Sequence, residues 1–378
     1  MIKISALEVF KVNIPFRIAF KHSLKSRQNS ESIFVKASLD NGVVGFGESL
    51  PRSYVTGNTQ DAVYKQLKEF LPKLKGVELG APCTSRGFAA PVQGTPDEGA
   101  LFIRSLDGIE AEARCALEIA LLDCLGKISN RSVHDILGEL LNQSFASSAI
   151  ISGGSALEAA VAAIYFKAKG YRFFKVKVGT DNDEARVHLV RRLVGNADIR
   201  VDANGAWDVA TALETIEKVR QFNISCVEQP TPKGDFDAMQ EVADFCHEPV
   251  MADESLCTVS DALRLAQTKG CDMFNVRLSK CGGIFRSMEI IKVARDYEMG
   301  YQIGCHVGES GVLTAAAMHL AAVSKNPAYF EGGYSRLLLK EDIIEEDLTP
   351  RRGIGYTSNK PGLGVTVKED TLRKYIIE

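Results

Sequence analysis

Side chains able to do acid–base or metal chemistry recur at nearly even intervals along the second half of the chain. Lys177, Asp202, Glu228, Asp253 and Lys280 are separated by 25, 26, 25 and 27 residues, and His306 and Glu331 extend the series by 26 and 25. Three carboxylates with no His or Cys among them form a hard oxygen set, which suits Mg²⁺, or Mn²⁺ in its place, rather than zinc. Asp202, Glu228 and Asp253 are the expected ligands. Carboxylates converging in a dry cavity repel one another, and a bound cation removes that conflict. The lysines suit proton transfer. A lysine becomes a base near neutral pH when neighbouring positive charge depresses its pKa, and Lys175, two residues before Lys177, supplies such a neighbour.

The intervals are those of a βα unit. Short apolar runs at 148–152, 173–178, 198–202, 224–228, 249–252, 273–277, 300–304 and 328–331 alternate with amphipathic stretches, the pattern of parallel strands joined by crossover helices. Eight units predict a closed (β/α)8 barrel of the TIM type, in which the C-terminal strand ends share one face, the usual place for an active site. Lys177 would end the second strand and Lys280 the sixth. Four strands apart in a ring of eight, they would flank a bound substrate.

Ahead of the barrel the first ~60 residues read as strands and turns. Segments 32–38 and 43–48 predict a hairpin, with Asn41-Gly42 as a two-residue turn at positive φ. Ala113, Ala116, Leu117, Ala120, Leu121 and Cys124 predict a helix over 107–126 with one buried face. Residues 76–100, rich in Gly, Pro, Ser and Thr, predict an irregular, mobile loop. Segment 357–378 offers a turn, a short strand and a polar tail that return to the first domain.

Composition narrows the function classes. The 378 residues carry 45 Lys plus Arg against 48 Asp plus Glu, a net charge of −3 without a basic block, so nucleic-acid or membrane partners are not expected. The N-terminus lacks a charged region followed by an apolar run, and a cytoplasmic chain is expected. Nine cysteines without a CxxC pair predict reduced thiols rather than disulfides or a zinc site. A small carboxylate substrate and further copies of the same chain are the expected partners.

Lys-x-Lys, Asp-x-Asn, Glu-Gln-Pro, Asp-Glu-Ser and a later Lys, in this order, resemble the muconate lactonizing enzyme subgroup of the enolase superfamily. The likeness extends to Gly45-Phe46-Gly47-Glu48, to Ala116-Leu117-Glu118-Ile119-Ala120-Leu121-Leu122-Asp123, to the Gly304–Ser310 segment and to Pro361-Gly362-Leu363-Gly364-Val365. It implies an N-terminal α+β capping domain over residues 1–130, a barrel over 131–356 and a C-terminal segment, 357–378, that completes the cap. It also implies that Asp202, Glu228 and Asp253 bind Mg²⁺, that Lys177 and Lys280 are the acid and base, and that a carboxylate loses its α-proton to give an enediolate. Two lysines on opposite faces suit racemisation or epimerisation of an amino-acid derivative. Muconate-type cycloisomerisation or a syn-elimination of the o-succinylbenzoate synthase type is the alternative on the same site.

One segment departs from the resemblance. Dipeptide epimerases of the subgroup usually carry Asp-x-Asp after the eighth strand to hold the substrate ammonium, whereas this chain reads Phe330-Glu331-Gly332-Gly333. Ordinary dipeptides are therefore disfavoured, and Glu331 is left as the one candidate substrate contact there. Asn204, Tyr54 and His306 are further candidates, His306 as a polar wall residue. Arg17, in a loop with Phe20, His22 and Ser23, and Arg52, in the turn-rich segment 52–57, are candidates to pair with a distal anion. That second segment has the composition of a closing lid. Trp207 is expected to pack rather than stack on substrate.

Overall fold

A computed structural model of the chain describes residues 2–21, 26–80, 98–152 and 154–378. The N-terminal unit begins with strands β1 (Ile2–Val12), β2 (Pro15–Lys21), β3 (Ser26–Asn29), β4 (Ser32–Leu39), β5 (Val44–Ser49) and β6 (Glu78–Gly80). An antiparallel sheet of order β5-β4-β1-β6 is its base, and β2 and β3 form a separate pair. Helices α1 (Gln60–Phe70), α2 (Glu98–Arg104) and α3 (Ala111–Ser129) complete the unit. His22, Ser23, Cys83, the Phe20 side chain and most of the loop expected at 76–100 lie outside the described residues.

Two local expectations are corrected. Between β4 and β5 only Gly42 takes a positive φ, 87°. Pairing ends at Ser38 and Val44, so the connection is longer than a two-residue turn. Asn41 uses its side chain instead, its Oδ1 accepting from Val43 N at 3.2 Å. Helix α3 starts at Ala111 rather than 107 and is buried nearly all round rather than on one face. Its polar residues are inside because each meets a backbone or charged partner, as Asp123 does by accepting from Phe46 N at 3.1 Å and Leu363 N at 2.9 Å.

After α4 (Val133–Leu137) and the short β7 (Ser144–Ala146) come eight parallel strands. They are β8 (Ser148–Ile151), β9 (Phe173–Lys177), β10 (Asp198–Asp202), β11 (Val227–Glu228), β12 (Val250–Ala252), β13 (Met273–Val276), β14 (Gly300–Ile303) and β15 (Tyr329–Phe330), neighbours in sequence order. A parallel bridge between Ser147 and Phe330 joins the last strand to the first, and the ring is a nearly closed barrel. Outside it run α5 (Ala156–Ala168), α6 (Asp183–Val194), α7 (Val209–Arg220), α8 (Phe236–Phe245), α9 (Val259–Thr268), the one-turn α10 (Leu278–Cys281), α11 (Ile284–Asp296), α12 (Gly311–Val323) and α13 (Ser335–Leu338). Capping boxes open α5 (Ser155 with Glu158) and α9 (Thr258 with Asp261), each satisfying otherwise orphaned amides, worth about 1 kcal/mol, and fixing where the preceding loop ends.

The chain end, with β16 (Ile354–Tyr356) and α14 (Glu369–Tyr375), runs back to the N-terminal unit. There Lys11 N donates to Glu378 O at 2.8 Å and Asn13 N to Tyr375 O at 3.0 Å. The two units are clasped by buried polar groups. Glu48 accepts from Ser310 N at 3.1 Å, Ser310 Oγ at 2.6 Å and Leu313 N at 3.1 Å, filling the amide positions at the start of α12. The eight described cysteines outside the masked stretch are free thiols, and no described helix is long and apolar enough to cross a membrane.

Candidate active site

Inward-facing residues alternate along a barrel strand, so Lys175 and Lys177 point the same way, as do Arg200 and Asp202. Register pairs Arg200 with Lys175 and Asp202 with Lys177, and the next strand sets Glu228 beside Asp202. Glu228 is level with Met251, so Asp253 stands two residues further along the following strand. Gln229, at φ 38°, explains the Glu-Gln-Pro motif: its Oε1 accepts from Asp253 N at 3.0 Å and Ser255 N at 3.1 Å and steadies the next carboxylate loop.

The structure gathers the series into one buried ionic cluster. Lys177 Nζ donates to Asp202 Oδ2 at 2.6 Å and Asn204 Oδ1 at 2.8 Å, while Asn204 Nδ2 donates to Glu254 Oε1 at 3.0 Å. Lys175 Nζ lies 3.2 Å from Asp202, 3.1 Å from Glu228 and 2.8 Å from Glu331. Across the ring, Lys280 Nζ donates to the carbonyls of Asp253 (2.6 Å), Leu256 (2.5 Å) and Asn275 (2.9 Å), with Asp253 Oδ1 at 3.3 Å. The two candidate proton carriers thus stand on β9 and in α10, the turn that follows β13, and β9 and β13 are four strands apart.

Burial and charge set the protonation states. Burial opposes the charge of Asp202, but Lys177 and Lys175 override it and hold the carboxyl below its ordinary range. Glu228 is pushed up to about 7 by burial, then by the negative charges of Asp202, Glu331 and Asp253. Asp253 is raised by burial despite Arg277 beside it. Burial also works against the ammonium of Lys175, yet Glu228, Glu331 and Asp202 keep it firmly charged. Lys280 resists its burial in the same way, chiefly through Asp253.

Three crowded carboxylates, two of them held above their ordinary range, suit a cation, and Asp253 Oδ1, 3.3 Å from Lys280 Nζ, is a buried oxygen with no hydrogen bond. Positive side chains fill the centre. Arg277 Nη2 contacts Asp253 Oδ2 and lies 3.5 Å from Glu228 Oε1, while Lys175 bridges Asp202 and Glu228. With those cations in place, no three acids, histidines or cysteines among the described residues are gathered closely enough to hold an ion.

Several candidate substrate contacts are placed elsewhere. Glu331 is fully buried, paired with Lys175 and with Arg200 Nη2 at 2.6 Å, and is held down at about 2 because those cations outweigh its burial. Its carboxylate lies between Lys175 and Arg200. Arg52 is 1% exposed, and its guanidinium is spent on the carbonyls of Ser30 (2.8 Å), Pro51 (3.0 Å) and Val307 (2.9 Å), so it pins the 52–57 segment to the barrel instead of meeting a distal anion. Lys233 Nζ donates to Val55 O, a second tie between that segment and the barrel. Arg17 is exposed, with Nε donating to Arg336 O at 3.2 Å. Tyr54 is half-buried beneath Arg27, whose guanidinium is 5.6 Å from the ring centre. Trp207 is buried in the core.

The spacing argument passed over Arg200, Arg277, Asn275 and Gln302. Arg200 was recoverable as the residue two before Asp202, and Asn275 as two before Arg277, by the period of a strand. Asn275 Nδ2 donates to Glu228 Oε1 at 2.7 Å and Gln302 Nε2 to Glu228 Oε2 at 3.4 Å.

Beside the cluster opens a small, mostly apolar cavity of about 70 Å³, walled by Ile150, Phe166, Cys305, His306, Glu309, Gly332, Gly333, Tyr334 and Leu337. His306 is kept neutral by burial and by the charges of Arg277 and Arg52, and Glu309 is pushed up to about 8 by burial and by Glu48. Both His306 nitrogens and Glu309 Oε2 lack hydrogen-bond partners. Gly333, at φ 77°, runs so close to the chain that a Cβ would lie 2.5 Å from Leu348 O and 2.7 Å from Pro350 Cδ.

Residues 4–138 match the family model for the N-terminal domain of mandelate racemase / muconate lactonizing enzyme, and residues 157–371 match that for the enolase C-terminal domain-like fold. The chain is 30% identical to the N-succinyl-L-Arg/Lys racemase of Bacillus cereus over 99% of its own length and 98% of the relative's. The crystal structure of that racemase superposes with a TM-score of 0.89, covering 100% of this chain and 98% of that one at 29% identity. A dipeptide epimerase from Cytophaga hutchinsonii, solved with Mg and D-Ala-L-Val, gives 0.87 at 27% identity and 98% of both chains. Muconate cycloisomerase 1 of Rhodococcus opacus is 26% identical over 99% of this chain and 98% of its own.

Proposed function

The chain belongs to the mandelate racemase / muconate lactonizing enzyme family of the enolase superfamily and is an isomerase of that type, and from this premise we propose that it inverts the α-carbon of an N-acylated amino acid. The observation that carries the reading is the placement of Lys177 and Lys280 four strands apart, with Asp202, Glu228 and Asp253 on the three strands between them. One lysine, once it has given up its own proton, accepts the α-proton, and the ammonium on the opposite face returns one, so the net change is inversion without loss or gain of atoms. In the arrangement seen Lys280 is charged and stands as the donor, held by three carbonyls. Lys175 stays charged and anchors Asp202, Glu228 and Glu331, so we assign it an electrostatic part and leave proton transfer to the other two.

Asp202, Glu228 and Asp253 would hold Mg²⁺ in place of the guanidinium that now contacts the last two, and the ion would offset the second negative charge developing on the substrate carboxylate. The proposal takes residues 1–130 and 357–378 as the cap and 131–356 as the barrel that carries these groups.

The substrate class follows from what the cavity beside the cluster lacks. Glu331 is already neutralised by Arg200 and Lys175, residue 333 has no side chain, and Glu309 in the cavity wall is pushed up to about 8 by burial, so none of the three offers an ammonium an ionised, unpaired carboxylate. Neutral His306, protonated Glu309 and the Tyr334 hydroxyl offer hydrogen bonds to an uncharged amide, and the apolar wall takes the rest of an acyl group. N-acyl amino acids and free dipeptides should be incubated in D₂O with Mg²⁺ and followed by mass spectrometry. Deuterium at the α-carbon of both N-acyl enantiomers, with dipeptides slower, is the expected result. Turnover of muconolactone without α-exchange of any amino-acid derivative would instead establish the cycloisomerase alternative, which the relationship to muconate cycloisomerase 1 favours.

A further inference from the structure

We propose that Glu118, on α3 of the capping unit, is a positioning residue for Lys280; its catalytic consequence rests on the α-inversion reading. Lys280 lies in the one-turn α10, which has no side-chain cap and ends on Gly282 in the left-handed region at φ 86°. Gly283 then starts α11, again without a side-chain cap of its own. The turn closes at its end through the Gly282 and Gly283 amides on Leu278 O but has no side-chain cap at its start, and a single turn forms too few internal hydrogen bonds to offset the cost of ordering it. Barrel carbonyls hold the Lys280 ammonium, and the backbone of the turn is held by the capping unit.

Glu118 is fully buried, and its Oε1 accepts from the first two amides of α11, Ile284 N and, at 3.0 Å, Phe285 N. Its other oxygen lies 3.2 Å from Arg114 Nη2, an ion pair that fixes the carboxylate from behind. On the near side of the lysine, Ser279 Oγ accepts from Leu50 N at 2.8 Å and donates to Leu50 O at 3.1 Å. Lys280 is therefore bracketed by the capping unit, at Ser279 before it and at Ile284–Phe285 after it. Lys177 has no such dependence, since it sits inside a paired strand. A carboxylate on one unit thus sets the place of a proton carrier on the other, and displacing a reacting group by about 1 Å can cost on the order of 10²-fold in rate.

The asymmetry supplies the test. Wild type, Glu118→Gln, Glu118→Ala and Ser279→Ala, each full-length and supplied with Mg²⁺, are followed for α-proton exchange of both enantiomers of an N-acyl amino acid in D₂O. Gln keeps an oxygen for the two amides and should exchange on both faces within a few-fold of wild type. Ala should lower exchange on the Lys280 face by about 10²-fold, reduce kcat more than KM, and leave the Lys177 face within a few-fold of wild type. Ser279→Ala should show a smaller loss on the same face, and carries the test if Glu118→Ala does not fold. Equal loss on both faces would make the role merely structural, and no loss would remove it; either overturns the proposal. Amide hydrogen exchange over residues 279–285 is read in parallel, needs no substrate, and should rise in Glu118→Ala alone. Absence of α-exchange in wild type counts against the α-inversion reading, whereas unaltered amide protection in Glu118→Ala counts against the positioning.

Discussion

Replacing Gly333 by Asp would restore the second acid of Asp-x-Asp, and the backbone forbids it at a cost that can be worked out. At φ 77° any L-residue pays for the left-handed conformation, roughly 1–2 kcal/mol, toward the lower end for Asp. The new Cβ would lie 2.5 Å from Leu348 O and 2.7 Å from Pro350 Cδ, neither of them the end of a flexible side chain. The chain must move, and such overpacking typically costs about 1–3 kcal/mol. A buried carboxylate without a partner adds about 1–3 kcal/mol more. The expected loss is thus roughly 3–7 kcal/mol, a large part of an ordinary folding stability of about 5–15 kcal/mol. Gly195→Ala is the control, because at φ 68° and ψ −128° it pays a backbone cost of roughly 1–3 kcal/mol while nothing lies within 4 Å, so overpacking and buried charge are absent. Urea unfolding followed by circular dichroism compares the two variants with wild type, and α-exchange of a free dipeptide in D₂O reads specificity. If Gly333→Asp is as stable as Gly195→Ala, the close approach does not constrain this position. If it also gains dipeptide epimerisation, the substrate reasoning falls with it.

Three further outcomes are expected. Chelation with EDTA should abolish activity and Mg²⁺ restore it, with Asp202→Asn, Glu228→Gln and Asp253→Asn each weakening Mg²⁺ binding in calorimetry; unchanged affinity in all three would refute the ligand assignment. Lys280→Ala should leave α-exchange to one enantiomer and Lys177→Ala to the other, whereas loss of the same enantiomer in both would point to a lyase or cycloisomerase. His319 accepts from His134 N at 3.3 Å and donates to Leu363 O at 3.0 Å, and burial holds it down at about 4. The unfolded chain takes up this proton near pH 6.5 and the folded chain only near 4. Stability from the neutral pair is therefore complete above 6.5 and falls as pH drops towards 4, by roughly 3 kcal/mol at 1.36 kcal/mol per unit. The urea midpoints of wild type and His319→Gln should converge over that window, and parallel profiles would contradict the assignment.

The barrel was legible because a βα unit has a nearly fixed length, so 25 to 27 residues between strand ends reports the repeat directly. Strand ends were less sharp: the run at 224–228 forms a strand only at Val227–Glu228, since the chain enters the sheet late and pairs over two residues on each side. The cluster was legible for the same reason as the repeat, through one polar residue per strand. What spacing could not supply is which charge neutralises which. Glu331 continues the series as faithfully as Asp253, yet Arg200 and Lys175 claim it from below. Arg52 sits in a segment with the composition of a lid, and it is the residue that pins that segment down.

Helix α3 carries the same point to the boundary between the two units. Its apolar spacing reads as one buried face because Glu112, Arg114, Glu118 and Asp123 appear to mark a wet one. All four are buried, and two of them spend their carboxylates on amides outside the helix: Glu118 at the start of α11, Asp123 at Phe46 and Leu363. A buried carboxylate without such partners would cost several kcal/mol, and the acids on this helix are tolerated because donors outside it meet them: Thr56 and Asn58 at Glu112, the start of α11 at Glu118, Phe46 and the chain end at Asp123. Polarity here records attachment to another unit and not contact with solvent. The acid that holds the Lys280 turn is therefore written in the sequence among residues whose pattern, taken one helix at a time, assigns it to the surface.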